Sequence, residues 1–497
     1  MNTMYKRPVC LLLASVLLIF SACQRGSMEP VDFGQTQSVK VSAEVAEQYR
    51  IEFAKLMAKA VAREDVRTLL KTEAKKQFDN DTDILYQRTK NTKLENGQTF
   101  EEALIELYGS QENFNKIVNS LPLLTIFIPT LDKFSVDKWD IKTELPQVAS
   151  YPNKIGDGKN QYTFPAFTQA GESVLLQKHI KPTSATILIK DNERLFVKNK
   201  DNQNARLPFG ANRLINEGGV TYDFIDASFD ASFSKSVANN KQARIARSAN
   251  ELGQEVKDSY EFGLQYQRDY IYYGIAPERG VNTGTLRDNY YEYITTFGVL
   301  SPASFDHIVD DPTNDWGDGN LEFVINVIAV DGKSALNTQT KGFSCNLRDM
   351  FFFSGNKDSH QVYNSYTYFL PTPIELFRWD MERYGDAIKF LVYESDPTTS
   401  GTTTYSTTTT STYGFNFNIG VKDGPNFGIN ASNVDARNHT YSVVVAGAPD
   451  YLYDAVLTWR DKVVTEKYDL GGGSVYYGIN DVQTGTVSMT VEPRRKF

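Results

Sequence analysis

The sequence predicts an α+β chain with a helical N-terminal part, a mixed middle region and a C-terminal antiparallel β-sandwich. Three observations lead there. Apolar residues before position 120 recur at helical spacing, those after position 320 fall in short runs divided by Gly, Asp, Asn and Pro, and the 28 Tyr and 30 Phe are abundant enough to favour strands. A chain of 497 residues exceeds what one hydrophobic core usually supports, so several domains are expected. Shifts in composition place the segments at residues 1–22, 23–40, 41–120, 121–311 and 312–497.

The stretch "MYKRPVCLLLASVLLIFSAC" opens with Lys6 and Arg7, runs apolar from Val9 to Phe20 and ends in Ser21 and Ala22 before Cys23. That run is well short of the roughly 20 residues a spanning helix needs, so it reads as an export signal. "FSAC" resembles the lipobox of bacterial lipoproteins, in which the chain is cut before a cysteine that then carries lipid; Phe20 departs from the more usual Leu. The resemblance implies lipidation at Cys23 and attachment to a membrane, and Gln24 in place of Asp implies the outer membrane. Acyl chains contribute about 0.8 kcal/mol per buried methylene, so several would anchor the chain. Residues 24–40, polar with scattered Gly and Pro, form a tether.

Between 41 and 120, Val45, Tyr49, Phe53, Leu56, Met57, Ala60 and Val61 form one helical stripe and Val66, Leu69, Leu70 and Ala74 a second. Thr99 and Glu102 stand at capping-box spacing before "EEALIELYG", whose Gly109 is a stop, and residues 110–120 offer a further helix. In the middle region "LPLLTIFIP" (121–129) predicts a buried strand, and "SATILIKDNERLFVKN" a hairpin turning at Asp191 and Asn192. Residues 234–260 read as an exposed helix or a linker. "LRDNYYEYITTFGV" predicts a helix with Leu286, Tyr290, Tyr293, Ile294 and Phe297 toward a core. Later strands are expected at 321–330, 387–393, 415–421, 441–446, 456–459, 475–479 and 486–491. The Thr- and Ser-rich stretch 397–414 is either a solvated edge strand or hairpin, or a loop.

A net charge of −9 without a basic tract excludes nucleic acid as the natural partner. Cys10 and Cys23 lie in the leader, so Cys345 has no intrachain disulfide partner in the body and reads as a buried small hydrophobe. His179, His307, His360 and His439 fit no H-E-x-x-H and read as structural or surface residues. "GFSCN" (342–346) ends in Asn346 where a nucleophile elbow needs Gly, "SFSK" (232–235) lacks its companion motifs, and "GGGSVYYG" (471–478) lacks dinucleotide-binding spacing. Carboxylates are plentiful, but the separation a glycosidase pair requires is not legible in sequence.

One acidic segment stands out, "DDPTNDWGDGNLEFVINVIAV" (310–330). With Asp311 at position 1 of an EF-hand loop, Asp315 falls at 5 and Glu322 at 12, but Trp316 occupies the glycine position. A calcium site would therefore draw on several loops, with Asp311, Asp315, Asp318 and Glu322 as candidate ligands. The other reading is a turn rich in Asp, Asn and Gly leading into a strand. "FRWDMERYGDAIKFLVYESDP" (377–397) resembles the late part of a C2 domain, where a Trp-bearing segment precedes a strand that ends in calcium-binding acids. That likeness, confined to the C-terminal part, implies Glu394 and Asp396 as ligands, with Asp331 from the loop after 321–330. From "AKLMAKAVAREDVRTLLKTEA" to "WDMERYGD" the chain also resembles lipoproteins of unassigned function from Bacteroidetes-type bacteria. The expectation is a lipid-anchored envelope protein, a non-catalytic binding or interaction module for a protein or glycan, stabilised by Ca2+. The alternative is an envelope hydrolase acting on glycans or peptides through acidic residues.

Overall fold

The computed structural model describes residues 41–152, 163–177, 180–197, 215–217, 220–232, 252–300, 320–331, 335–353, 362–365, 367–395, 402–413, 435–446 and 450–496. The leader, Cys23 and the tether lie outside this set. The chain is a mixed α+β protein with several sheets.

Helix α1 (Ala43–Ala60) starts at Ser42, which accepts from Val45 N, and buries Ala46, Phe53, Ala54, Met57 and Ala60. Val45, on the expected stripe, is exposed at the first turn. Helix α2 (Glu64–Ala74) buries Val66, Leu69, Leu70 and Ala74. After strand β1 (Asp83–Leu85) and the short α3 (Tyr86–Thr89), helix α4 (Phe100–Tyr108) opens with the expected capping box. Glu102 N donates to Thr99 Oγ1 at 3.1 Å, Thr99 N donates to Glu102 Oε2 at 2.7 Å, and Gly109 ends the helix with φ of 83°. Helix α5 (Gln111–Ser120) follows.

Strands β2 (Leu124–Phe127), β3 (Gln147–Ser150), β4 (Thr163–Phe167), β5 (Ser173–Gln177) and β6 (Thr186–Asp191) join β1 in a sheet ordered β1-β2-β6-β3-β4-β5, antiparallel except for β3 beside β6. The strand expected at 121–129 is β2, buried along its length. Helices and sheet share one core in which Phe53, Met57, Tyr86, Phe114, Ile126, Val148, Phe164 and Ile189 meet. The hairpin expected at 184–199 does not form. β6 pairs with β2 and β3, whereas the next strand, β7 (Leu195–Val197), pairs with β9 (Val220–Phe224), which also carries β8 (Ile215–Glu217).

Helix α6 (Gln254–Glu261) lies within the span read as helix or linker, and a π-helical turn covers Asp269–Tyr273. The helix expected at 286–299 is instead strand β10 (Tyr290–Val299). A bulge between Ile294 and Thr296 explains the misreading. Tyr290 and Ile294 face the core, the extra residue Thr295 shifts the alternation, and Phe297 faces the same core, so a period of two mimics the i, i+4, i+7 spacing of a helix.

Two four-stranded antiparallel sheets follow. One is ordered β15 (Tyr368–Glu375), β10, β23 (Val487–Arg495), β22 (Asp481–Gln483); the other β12 (Ala335–Cys345), β11 (Leu321–Asp331), β16 (Ala387–Glu394), β19 (Asp450–Thr458). Ile294, Phe297 and Met489 from the first meet Phe323, Ile325, Phe390 and Leu457 from the second in one hydrophobic cluster. Short helices α7 (Leu347–Met350) and α8 (Met381–Tyr384) and a pair of strands, β13 (Phe351–Phe353) with β14 (Val362–Ser365), fill the connections. The Thr-rich stretch forms β17 (Thr402–Tyr413), paired throughout with β18 (Asp435–Ala446), in line with the edge-strand or hairpin reading. The expected strands at 321–330, 387–393, 441–446 and 475–479 correspond to β11, β16, part of β18 and β21 (Ser474–Ile479); those at 456–459 and 486–491 overlap β19 and β23. Residues 415–421 lie outside the described set.

Candidate functional site

The residues at the end of β6 and in the link to β7, Lys190-Asp191-Asn192-Glu193-Arg194, include the expected turn residues Asp191 and Asn192, and all five are buried. They cross from the six-stranded sheet to the smaller one, so the backbone bonds outward: Asn192 N donates to Leu123 O at 2.9 Å and Ile225 N donates to Arg194 O at 3.0 Å. Polar side chains buried this way must find partners. Arg194 Nε and Nη2 both donate to Glu322 Oε1, at 3.1 and 2.5 Å, Nη2 also donates to Asp81 Oδ2 at 3.0 Å, and Nη1 to Asp79 O at 3.2 Å. Lys190 Nζ lies 2.8 Å from Glu193 Oε1, 3.5 Å from Asp83 Oδ1 and 4.4 Å above the Phe127 ring. Asn192 Nδ2 donates to Asp79 Oδ2 at 2.8 Å, and Ser344 Oγ of β12 donates to Glu322 at 3.2 Å. Beside this group Arg50 of α1 donates to Asp191 Oδ2 at 3.0 Å.

The group therefore joins three parts of the chain: residues 79–83, the exit of β6, and Glu322 at the start of β11. A small apolar cluster, containing Leu85, Leu123, Leu195, Tyr222, Phe224, Phe229, Val324 and Tyr393, lies between the two larger cores. Among the described residues Asp79, Asp81, Asp83, Glu193 and Glu322 form ion pairs with Lys190 and Arg194, five carboxylates to two cations. Burial pushes Glu322 up to about 8 and Asp79 up to about 6, in both cases against the pull of Arg194. Burial also holds Asp83 well above the usual carboxylate range, opposed by Lys190. Burial thus favours the neutral form of these carboxyls, and the group does not present an open catalytic pair.

Of the candidate calcium ligands, Asp311, Asp315, Asp318 and Asp396 lie outside the described residues. Asp331 ends β11 opposite Ala335. Glu394 is buried at the end of β16, opposite Phe323 on one side and Asp450 on the other. Glu322 is engaged by Arg194. Among the described residues no group of three or more His, Cys, Asp or Glu is arranged to hold a metal ion. Calcium at the acidic loop thus rests on side chains outside the described set.

Cys345 is buried with Sγ 3.1 Å from Met350 Sδ, and burial pushes its thiol well up, which fits the expected small hydrophobe. Gly342 of "GFSCN" makes a close approach: a Cβ there would lie 2.9 Å from Phe229 Cε2 and 3.0 Å from Asp226 Cβ. Ser344, next to it, serves Glu322.

A second feature lies on the surface. The hairpin of β20 (Val464–Gly471) and β21 (Ser474–Ile479) turns through Gly471 and Gly472, with φ of 80° and 62°. One face rests on α6: Lys467 Nζ lies 2.5 Å from Glu261 Oε1, Tyr477 Oη donates to the same oxygen at 2.7 Å, and Tyr260 meets Tyr477 edge-on. The next pair in the ladder, Tyr468 opposite Tyr476, points the other way, with ring centroids 6.1 Å apart. Tyr468, Leu470 and Tyr476 are 48, 68 and 55 % exposed.

Sequence reading missed both features. In "KDNER" the available signal was negative: a two-residue hairpin turn favours Gly where φ is positive, and this stretch has none. Comparison with models of known protein families, with curated proteins and with solved structures finds no match.

Proposed function

We propose that the chain is a lipid-anchored protein of the bacterial cell envelope, held at the outer membrane through Cys23, that works as a non-catalytic binding or interaction module. The observation that carries this reading is the outward face of the β20–β21 hairpin. Tyr468, Leu470 and Tyr476 expose aromatic and aliphatic surface on a ribbon whose opposite face is fixed to α6, and isolated two-stranded ribbons are marginal without such support. Rigid tyrosines on a fixed element provide contact area at little conformational cost. The rival reading, a hydrolase acting through carboxylates, gains no support from the group around Arg194, because Asp79, Asp83, Glu193 and Glu322 are all buried in ion pairs.

Replacing Tyr468, Leu470 and Tyr476 together by Ser is expected to leave stability within about 0.5 kcal/mol per site, as for ordinary surface changes. The same variant is expected to lose binding, measured on a panel of envelope glycans and purified envelope proteins that the parent chain is first shown to bind. Retained binding in the triple variant, or turnover of a panel member by the parent, overturns the reading. Independently, Cys23→Ser is expected to move the chain from the membrane to the soluble fraction on fractionation, and persistence in the membrane fraction counts against the anchor.

A further inference from the structure

We infer that the carboxylate group around Arg194 and Lys190 is a proton-operated lock, which keeps the β6 exit closed against β11 when protonated and loosens that junction as protons leave. The geometry carries the inference. Segment 79–83 supplies Asp79, Asp81 and Asp83; the β6 exit supplies Lys190, Glu193 and Arg194; β11 supplies Glu322. Arg50 is committed to Asp191, whose own place is next to Lys190 rather than among the carboxylates. From β12, Ser344 donates to Glu322, and the Cys345 thiol is pushed up first by burial and then by the Glu322 and Glu394 charges. Glu73, Lys76 and Arg88 line the shallow hollow beside Asp83. Among the described residues the ion pairs of this group set two cations, Lys190 and Arg194, against five carboxylates, so the fully ionised form would bury an excess of negative charge.

Asp83 Oδ1 and Glu193 Oε2 are buried without a hydrogen-bond donor among the described residues, although Lys190 sits 3.5 Å from the first, and burial holds the Asp83 carboxyl well above its usual range. Protonation removes the excess charge without moving a chain segment, and the groups raised by burial take up the protons: Asp83, together with Glu322 at about 8 and Asp79 at about 6. The sign follows from the raised values. Unfolded carboxyls titrate near pH 4, so the stabilisation is complete below that point and is lost in steps as pH rises through about 6 and about 8. The lock is closed on the acid side and weakened on the alkaline side.

The test is hydrogen exchange of the full chain, corrected for the intrinsic pH dependence of exchange. Between about pH 5.5 and pH 8.5, exchange in peptides covering 79–83, 190–194 and 321–324 is expected to rise by about tenfold or more, while peptides of the two large cores, 53–57 and 388–392, stay unchanged. Glu322→Gln, which resembles the protonated side chain, is expected to flatten that rise, and Asp83→Asn serves the same purpose if the first variant does not fold. A flat profile in the parent, a rise spread equally over the cores, or an unchanged profile in the folded variant overturns the lock.

Discussion

At about pH 9, above the raised values of Glu322 and Asp79, Arg194→Met is expected to destabilise the protein by roughly 3–5 kcal/mol, the cost of leaving buried carboxylates without their cation. Arg194 is fully buried and reaches Glu322, Asp81 and the backbone of Asp79 at once, so one substitution releases contacts to two separate regions of the chain. The loss should show in urea unfolding followed by tryptophan fluorescence, and the junction should unfold before the two large cores. The double variant Arg194→Met with Glu322→Met should recover much of the loss, because buried ion pairs replaced by apolar groups of similar volume are often neutral. A single-variant cost below about 1 kcal/mol would mean that Glu322 and Asp79 are already neutral without help, and that Arg194 contributes only packing.

Trp459→Ala is expected to cost a further 3–5 kcal/mol or so, for a different reason. The indole is almost wholly buried among Tyr272, Tyr273 and Trp379, with centroid distances of 5.3, 5.9 and 5.2 Å, and its Nε1 donates to Asp269 Oδ1 at 2.6 Å. Removal opens a cavity and also deprives a buried carboxylate of its donor. Trp459→Phe separates the two effects by keeping most of the ring volume. Burial pushes Asp269 up to about 6, and the Trp459 hydrogen bond opposes that rise. The raised group favours the fold most below its unfolded value near 4, and that contribution fades as pH climbs through about 6. In Trp459→Phe the folded value moves higher still, so the stability gap between parent and variant should widen from pH 5 to pH 8. Equal gaps at both pH values would show that the hydrogen bond does not favour the ionised Asp269.

How much of this was legible in the sequence depended on how local the determining interaction is. The box at Thr99 and Glu102 and the stop at Gly109 lie within one helix, and both were readable. β2 and β16 were readable because strands buried on both faces are continuous apolar runs. β10 was not, because a bulge set by its partner β23 gave a strand the apparent period of a helix. The Arg194 group was invisible for a similar reason. Polar residues between two strands look the same whether the strands pair with each other or leave for different sheets, and that choice is made by segments far along the chain. Glu322, one of the carboxylates singled out for calcium, is engaged by Arg194, a partner that lies on another element and that the local sequence does not reveal. The Tyr468 and Tyr476 face was hidden because aromatics in a strand are equally common in cores, and only the contact of the opposite face with α6 shows which way they point.

The pairing of β10 with β23 also bears on how the chain reaches its fold. Thr296 and Thr490, joined across that ladder, are 194 residues apart in sequence. β10 is an inner strand, yet one of the two neighbours that complete its place in the sheet lies far along the chain and is made much later than β10 itself. Until β23 arrives, the strand that carries Tyr290, Ile294 and Phe297 has an open row of backbone donors and acceptors and an apolar face without its final neighbour. Contacts of such long sequence separation form slowly and leave exposed edges for the duration. Throughout that interval the core shared by β10 and β23 stays open, and this is when a holdase chaperone would have the most to protect.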